Sequence, residues 1–182
     1  NVDRDQAAKY LFFTTRNGIV KRTSTSQFSN IRTNGLKALK LRDGDELINV
    51  LRTSGEDEVI IGTHLGYSVR FTGAVVRDMG RAAAGVKGVN LREGDYVVGT
   101  SRIDDSQEVL VISENGLGKR TQASEYPTKG RGGKGMKVMN VTERTGKLAG
   151  LTAVNGDEDL MVITDTGVII RTNVANISQT GR

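Results

Sequence analysis

The sequence predicts an all-β, propeller-like fold built of four-stranded repeats of about 50 residues. Three observations predict it: one motif recurs four times, its apolar residues alternate with period two, and glycine is abundant where proline is almost absent. The motif reads YLFFTTRNGIVKRT from Tyr10, EVIIGTHLGYSVRFT from Glu58, EVLVISENGLGKRT from Glu108 and DLMVITDTGVIIRT from Asp159. Each copy is an apolar run, a turn ending in glycine, and a short run closed by arginine. The turn glycines Gly18, Gly66, Gly116 and Gly167 are spaced by 48, 50 and 51 residues, and Arg22, Arg70, Arg120 and Arg171 keep the same spacing. A fixed turn glycine is what a backbone needing positive φ selects. With 23 glycines and 1 proline in 182 residues, the chain reads as strands joined by tight turns.

In the first repeat, strands are expected at 10–15 and 19–24, paired across Arg16-Asn17-Gly18. A third is expected at 35–41 (GLKALKL) and a fourth at 45–53, after Arg42-Asp43-Gly44. The second repeat supplies VIIGTH, YSVRFT, GVKGVNL and YVVGTSRI; the third supplies VLVISE, LGKRTQ, GMKVMNV and LAGLTAV. Four short strands per unit is a propeller blade, and WD and kelch signatures are absent.

A glycine- and arginine-rich loop follows each hairpin: IRTNGLKAL from Ile31, MGRAAAGVKGV from Met79 and KGRGGKGMKVM from Lys129. Arg81 lies 11 residues after Arg70, and Arg131 lies 11 after Arg120. The same step from Arg171 reaches Arg182. The expected repeats are therefore 10–57, 58–107, 108–158 and an incomplete 159–182, one partial domain of a longer protein.

Composition narrows the chemistry. There are no cysteines and a single histidine, His64, so disulfides, thiolate catalysis, Cys-ligated zinc and multi-His metal sites are not expected. Nothing assembles a nucleophile, a base and an oxyanion donor. No apolar run is long enough to span a bilayer and no basic-then-apolar leader opens the chain, so a cytoplasmic, nucleoid-associated location without membrane contact is expected.

Lys plus Arg is 26 against 21 Asp plus Glu, for a net charge of +5. The acids gather in the turn before the fourth strand and at repeat junctions. The bases gather on the second strand, the following loop and the third strand. Between 119 and 137 stand Lys119, Arg120, Lys129, Arg131, Lys134 and Lys137, against Glu125 alone. A single strand-borne charge is ordinarily a solvated face. Recurrence at one register makes a stripe from blade to blade, an electrostatic track for a long polyanion. In its richest loop, Gly130, Arg131, Gly132, Gly133, Lys134 and Gly135, backbone amides could approach phosphates closely.

Several signals are set aside. Gly130 to Gly135 matches G-x-G-x-x-G, but a strand-like MKVMNV follows where a dinucleotide site needs a helix. No P-loop occurs. His64 reads as a turn residue. Tyr126 could stack on a nucleotide, though packing is the commoner fate of such a tyrosine. Phe12 and Phe13 are core candidates. Asp104-Asp105 and Asp157-Glu158-Asp159 read as acidic turns rather than a cation site.

The tandem pattern of apolar strand, glycine turn, K-R-T and Gly/Arg-rich loop resembles the C-terminal domain of DNA gyrase A. The run EYPTKGRGGKGMK and the tail NVANISQTGR resemble that family in particular. The resemblance covers essentially the whole chain. It implies a β-pinwheel, a six-bladed disc with strands exchanged between neighbouring blades, of which about four would lie here. The family's seven-residue box, Gln-Arg-Arg-Gly-Gly-Lys/Arg-Gly, is matched at five of seven positions by 129–135, without the Gln and the first Arg. The resemblance implies phosphate contacts at Lys21, Arg22, Arg32, Lys37, Arg70, Arg81, Lys87, Lys119, Arg120, Lys129, Arg131, Lys134, Lys137, Arg171 and Arg182. It further implies a non-catalytic module that bends double-stranded DNA with little sequence preference. Its partners would be the remainder of gyrase A and the gyrase B protein, with the ATP and Mg²⁺ of negative supercoiling held outside this chain. Tyr10, Tyr67, Tyr96 and Tyr126 are then not catalytic. The alternatives are the corresponding domain of topoisomerase IV, a protein-interaction propeller and a propeller enzyme.

Overall fold

A computed structural model of the chain describes residues 8–30 and 33–182. Its strands are β1 (Tyr10–Thr15), β2 (Ile19–Ser24), β3 (Leu47–Thr53), β4 (Glu58–Thr63), β5 (Tyr67–Thr72), β6 (Val86–Lys87), β7 (Val97–Ile103), β8 (Glu108–Ser113), β9 (Gly118–Gln122), β10 (Met136–Lys137), β11 (Leu148–Val154), β12 (Asp159–Ile163) and β13 (Ile169–Asn173). Among the described residues the only helical segments are short 3-10 turns after the second strand of each repeat.

The strands form four antiparallel sheets, ordered β3-β1-β2-β6, β10-β5-β4-β7, β11-β8-β9 and β12-β13. Each sheet starts from a hairpin whose turn glycine has positive φ: 84° at Gly18, 91° at Gly66, 81° at Gly116 and 86° at Gly167. A side chain there would force the strained left-handed region. The fourth strand of each complete repeat pairs with the first.

The third strand crosses over. β6 of the second repeat pairs with β2 of the first, Ile19 opposite Lys87, and β10 of the third pairs with β5 of the second, Tyr67 opposite Lys137. Gly85 and Gly135 permit the crossing. A Cβ on Gly85 would stand 2.4 Å from the Val20 carbonyl oxygen, and one on Gly135 2.5 Å from that of Ser68.

Here the expected strands need correction. GVKGVNL and GMKVMNV contribute two paired residues each, not seven, and 35–41 forms no strand. After Lys87 the chain rises over the hairpin turn, where the amides of Gly88 and Val89 donate to the Gly18 carbonyl at 2.8 and 3.3 Å. The pairing ends there. The segment 35–41 instead lies against the loop of the second repeat, where the Lys40 amide donates to the Ala83 carbonyl.

The core lies between successive sheets. Phe12, Val20, Val59, Ile61, Phe71 and Val97 fill the space between the first and second. Ile60, Val109, Val111, Tyr126, Val138 and Leu148 fill that between the second and third. Leu110, Val154 and Val174 begin a third layer. Phe12 and Phe13 are both buried, as expected. Burial of alternate apolar residues between stacked sheets is the driving term for this architecture.

Candidate nucleic-acid interface

The basic residues divide into two populations. Three of the four arginines that close the second strands turn inward. Arg70, whose side chain is 3% exposed, places Nη2 2.5 Å from Glu58 Oε2 and donates from Nη1 to the carbonyls of Ala123 and Tyr126 at 2.9 and 3.0 Å. Arg120 pairs with Glu108 at 2.8 Å and donates from Nε to the Ile177 carbonyl at 2.9 Å. Arg22 lies 4.1 Å over the Tyr10 ring and reaches the Gly55 carbonyl. Arg171 pairs with Asp159 on the surface. Each arginine thus meets a residue twelve positions earlier, an acid in three repeats and Tyr10 in the first. Lys21 is fully buried and Lys119 half-buried.

Phosphate contact from Arg22, Arg70, Arg120 and Lys21 is therefore corrected. Their cationic ends face carbonyls, carboxylates and rings inside the fold, where withdrawing a charge from its partners is costly.

The second population forms the loops. Arg81 Nη1 donates to the Lys37 carbonyl at 3.1 Å, and fifty residues on Arg131 Nη1 donates to the Lys87 carbonyl at 3.0 Å. The Lys40 amide donates to the Ala83 carbonyl, and the Asn90 amide to that of Gly133. Arg42 reaches the Gly85 carbonyl and Arg92 that of Lys134, at 3.2 and 2.8 Å. The basic loop of each repeat is thus laid on that of the one before, in a continuous belt. Lys37, Lys87, Lys129, Arg131, Lys134 and Lys137 are exposed on it, and Arg81 is half-exposed. Arg182 is exposed at its far end. Arg32 lies outside the described residues.

Cβ positions at Gly130 and Gly133 would meet open space. The backbone of the box-like loop is accessible at both.

Several acids bind backbone amides or inward-facing cations. Asp45 accepts from the Asn17 amide and Asp95 from the Leu65 amide, capping hairpin turns. Asp105 pairs with Arg70, and Asp104 accepts from the Ser106 amide. His64 stacks on Tyr96 with ring centroids 4.3 Å apart. Tyr126 is buried and packed, and burial pushes its phenol up to about 12.

Sequence reasoning missed Arg42 and Arg92 as belt residues. They stand in R-x-G-D turns that read as acidic, and their fifty-residue spacing is the signal that would have found them. Arg92 also lies 3.5 Å over the Tyr67 ring.

Stacked antiparallel blades joined by exchanged strands, with a cationic belt on one set of loops, define a β-pinwheel of the propeller-like class. The family described as "DNA gyrase C-terminal domain, beta-propeller" matches residues 9–54, 57–104, 107–155 and 158–182. The chain belongs to that family. It is 75% identical over 178 residues to the DNA gyrase A protein of Streptococcus pyogenes serotype M3 (strain ATCC BAA-595 / MGAS315), covering 98% of this chain and 22% of that protein. It is 64% identical over 173 residues to the DNA gyrase A protein of Halalkalibacterium halodurans, covering 95% of this chain and 21% of that one. The chain thus spans about a fifth of the length of these relatives. Among solved structures it resembles the C-terminal domain of DNA topoisomerase IV, with TM-score 0.89, 28% identity and coverage of 95% of this chain and 55% of that one. It also resembles the DNA gyrase A C-terminal domain, with TM-score 0.83, 26% identity and coverage of 96% and 59%.

Proposed function

We propose that this chain is a non-catalytic module, its repeats spanning 10–57, 58–107, 108–158 and 159–182, that binds double-stranded DNA along its loop belt and bends it. The observation that carries this reading is the recurring loop-to-loop bond, Arg81 to Lys37 and Arg131 to Lys87, which strings the exposed cations in series. Phosphates would be met without base reading, because the belt offers ammonium, guanidinium and backbone amide donors. Bending a 20–30 bp site costs on the order of 1–6 kcal/mol, and cations distributed along the arc offset it by neutralising phosphates at each step.

In the longer protein the module would work with the rest of gyrase A and with the gyrase B protein, in the cytoplasm at the nucleoid. It would present a bent duplex to a core that carries ATP, Mg²⁺ and the cleavage chemistry of negative supercoiling. The similarity to gyrase A sequences favours this over the topoisomerase IV counterpart.

The test is a gel-shift titration with linear duplex at several salt concentrations. Neutralising about six phosphates gives a log–log slope near −5. A slope near zero removes the reading.

A further inference from the structure

Lys21 sits on β2 at a core position, fully buried beside the Phe13 ring, with Nζ 5.4 Å from its centroid. Burying an ammonium is costly, and an apolar residue would pack against Phe13 at less cost. The ammonium instead donates to two backbone carbonyls, Ala38 at 2.6 Å and Arg81 at 2.8 Å. Those carbonyls belong to the loops of two successive repeats. Arg81 in turn grips the Lys37 carbonyl with its guanidinium. Lys21, Ala38 and Arg81 therefore close a small ring beneath the belt that fixes both loops. Burial first, and then the charge of Arg81, holds the Lys21 ammonium below its usual pKa.

One of these two bonds has a counterpart in the third repeat. Lys119 occupies the equivalent place in the third repeat and donates to the Gly181 carbonyl at 3.0 Å, next to Arg182. In the second repeat the position is Val69. There a cavity of about 210 Å³ lies beneath the box-like loop, lined by Ser68, Val69, Arg70, Tyr126, Gly133 and Gly135.

We propose that Lys21 and Lys119 are positioning residues for DNA binding: without meeting phosphate, they set the register of the cationic loops from below, and Val69 gives the 129–135 loop no ammonium beneath it. The proposal rests on the DNA-binding reading.

The test measures affinity and salt slope of the 182-residue chain on a linear duplex of about four helical turns. Lys21→Met is expected to weaken binding about tenfold and to flatten the slope by about one phosphate, although residue 21 touches none. Lys21→Arg, which can keep a grip on both carbonyls, is expected to restore most of the loss. Arg81→Ala added to Lys21→Met should cost far less than Arg81→Ala alone, because both act through one loop. Val69→Lys is expected to tighten binding several-fold by pre-ordering the loop, whereas Val69→Met, which fills the cavity without an ammonium, leaves it unchanged.

A folded Lys21→Met chain that binds like the wild type overturns the proposal. So does additivity with Arg81→Ala, which would reduce Lys21 to a distant charge. If Lys21→Met fails to fold, the Val69 pair decides: equal binding by the Lys and Met variants overturns the idea. A wild-type chain with no salt-dependent binding sinks the DNA-binding reading itself, and this proposal with it.

Discussion

Arg70 Nη2 stands 2.5 Å from Glu58 Oε2, and the same guanidinium spans into the next repeat to hold the carbonyls of Ala123 and Tyr126. One side chain thus joins the first and second strands of its own blade to the 3-10 turn of its neighbour. Arg120 repeats the arrangement with Glu108 and Ile177. Buried charges of this kind are costly to strip of one partner.

Arg70→Ala should therefore lower the stability of the chain by on the order of 3 kcal/mol, read as the midpoint of urea unfolding. Arg171→Ala removes an exposed pair with Asp159 and should leave that midpoint unchanged. Equal effects from the two would contradict the division between inward and surface arginines.

The hairpins are legible in the sequence because a positive-φ turn demands glycine, and Gly18, Gly66, Gly116 and Gly167 keep their spacing. The inward arginines are not. An Arg-Thr ending looks the same whether the guanidinium meets water or a carboxylate. The clue, an acid twelve residues earlier in three repeats and Tyr10 in the other, becomes meaningful only once strand register is known. Lys21 is hidden for a related reason, since an alternating strand normally sends lysine outward and nothing local reveals that two loops close over it. The short third strands mislead because alternation continues in the sequence after the backbone has left the sheet.

Arg131→Ala with Lys134→Ala should weaken binding to every duplex sequence alike and bring the salt slope about two nearer to zero. Both side chains are exposed, so the unfolding midpoint should barely move. Competition assays with unrelated duplexes check this. A loss confined to selected sequences would mean base readout in place of phosphate contact.

Tyr126 predicts an alkaline signature. Burial raises its phenol from 10.0 to about 12, so between those values the folded chain keeps a proton that the unfolded chain has lost. The stability this contributes is complete below pH 10 and disappears as pH climbs to about 12. A rise of that size corresponds to on the order of 3 kcal/mol. Tyr126→Phe should flatten this decline, measured as the difference in unfolding free energy between variant and wild type from about pH 9 to pH 12. Lys21 acts with the opposite sign: its pKa is lowered by burial, so its penalty eases as pH rises towards 10.5. The variant-minus-wild-type difference isolates the tyrosine.

Two glycines of the box-like loop separate fold from binding. Gly135 has φ of 85°, and a Cβ there would stand 2.5 Å from the Ser68 carbonyl oxygen. Gly135→Ala must strain the backbone and push β10 off β5, at a cost of at least ~2 kcal/mol. Gly133 lies in the same loop with open space around its Cβ position. Gly133→Ala should leave stability unchanged. If phosphates approach the backbone there, the added methyl should still weaken duplex binding several-fold. Parallel melting curves and gel shifts on the two variants decide it, and a Gly133→Ala chain that binds DNA as tightly as the wild type would remove that backbone from the contact surface.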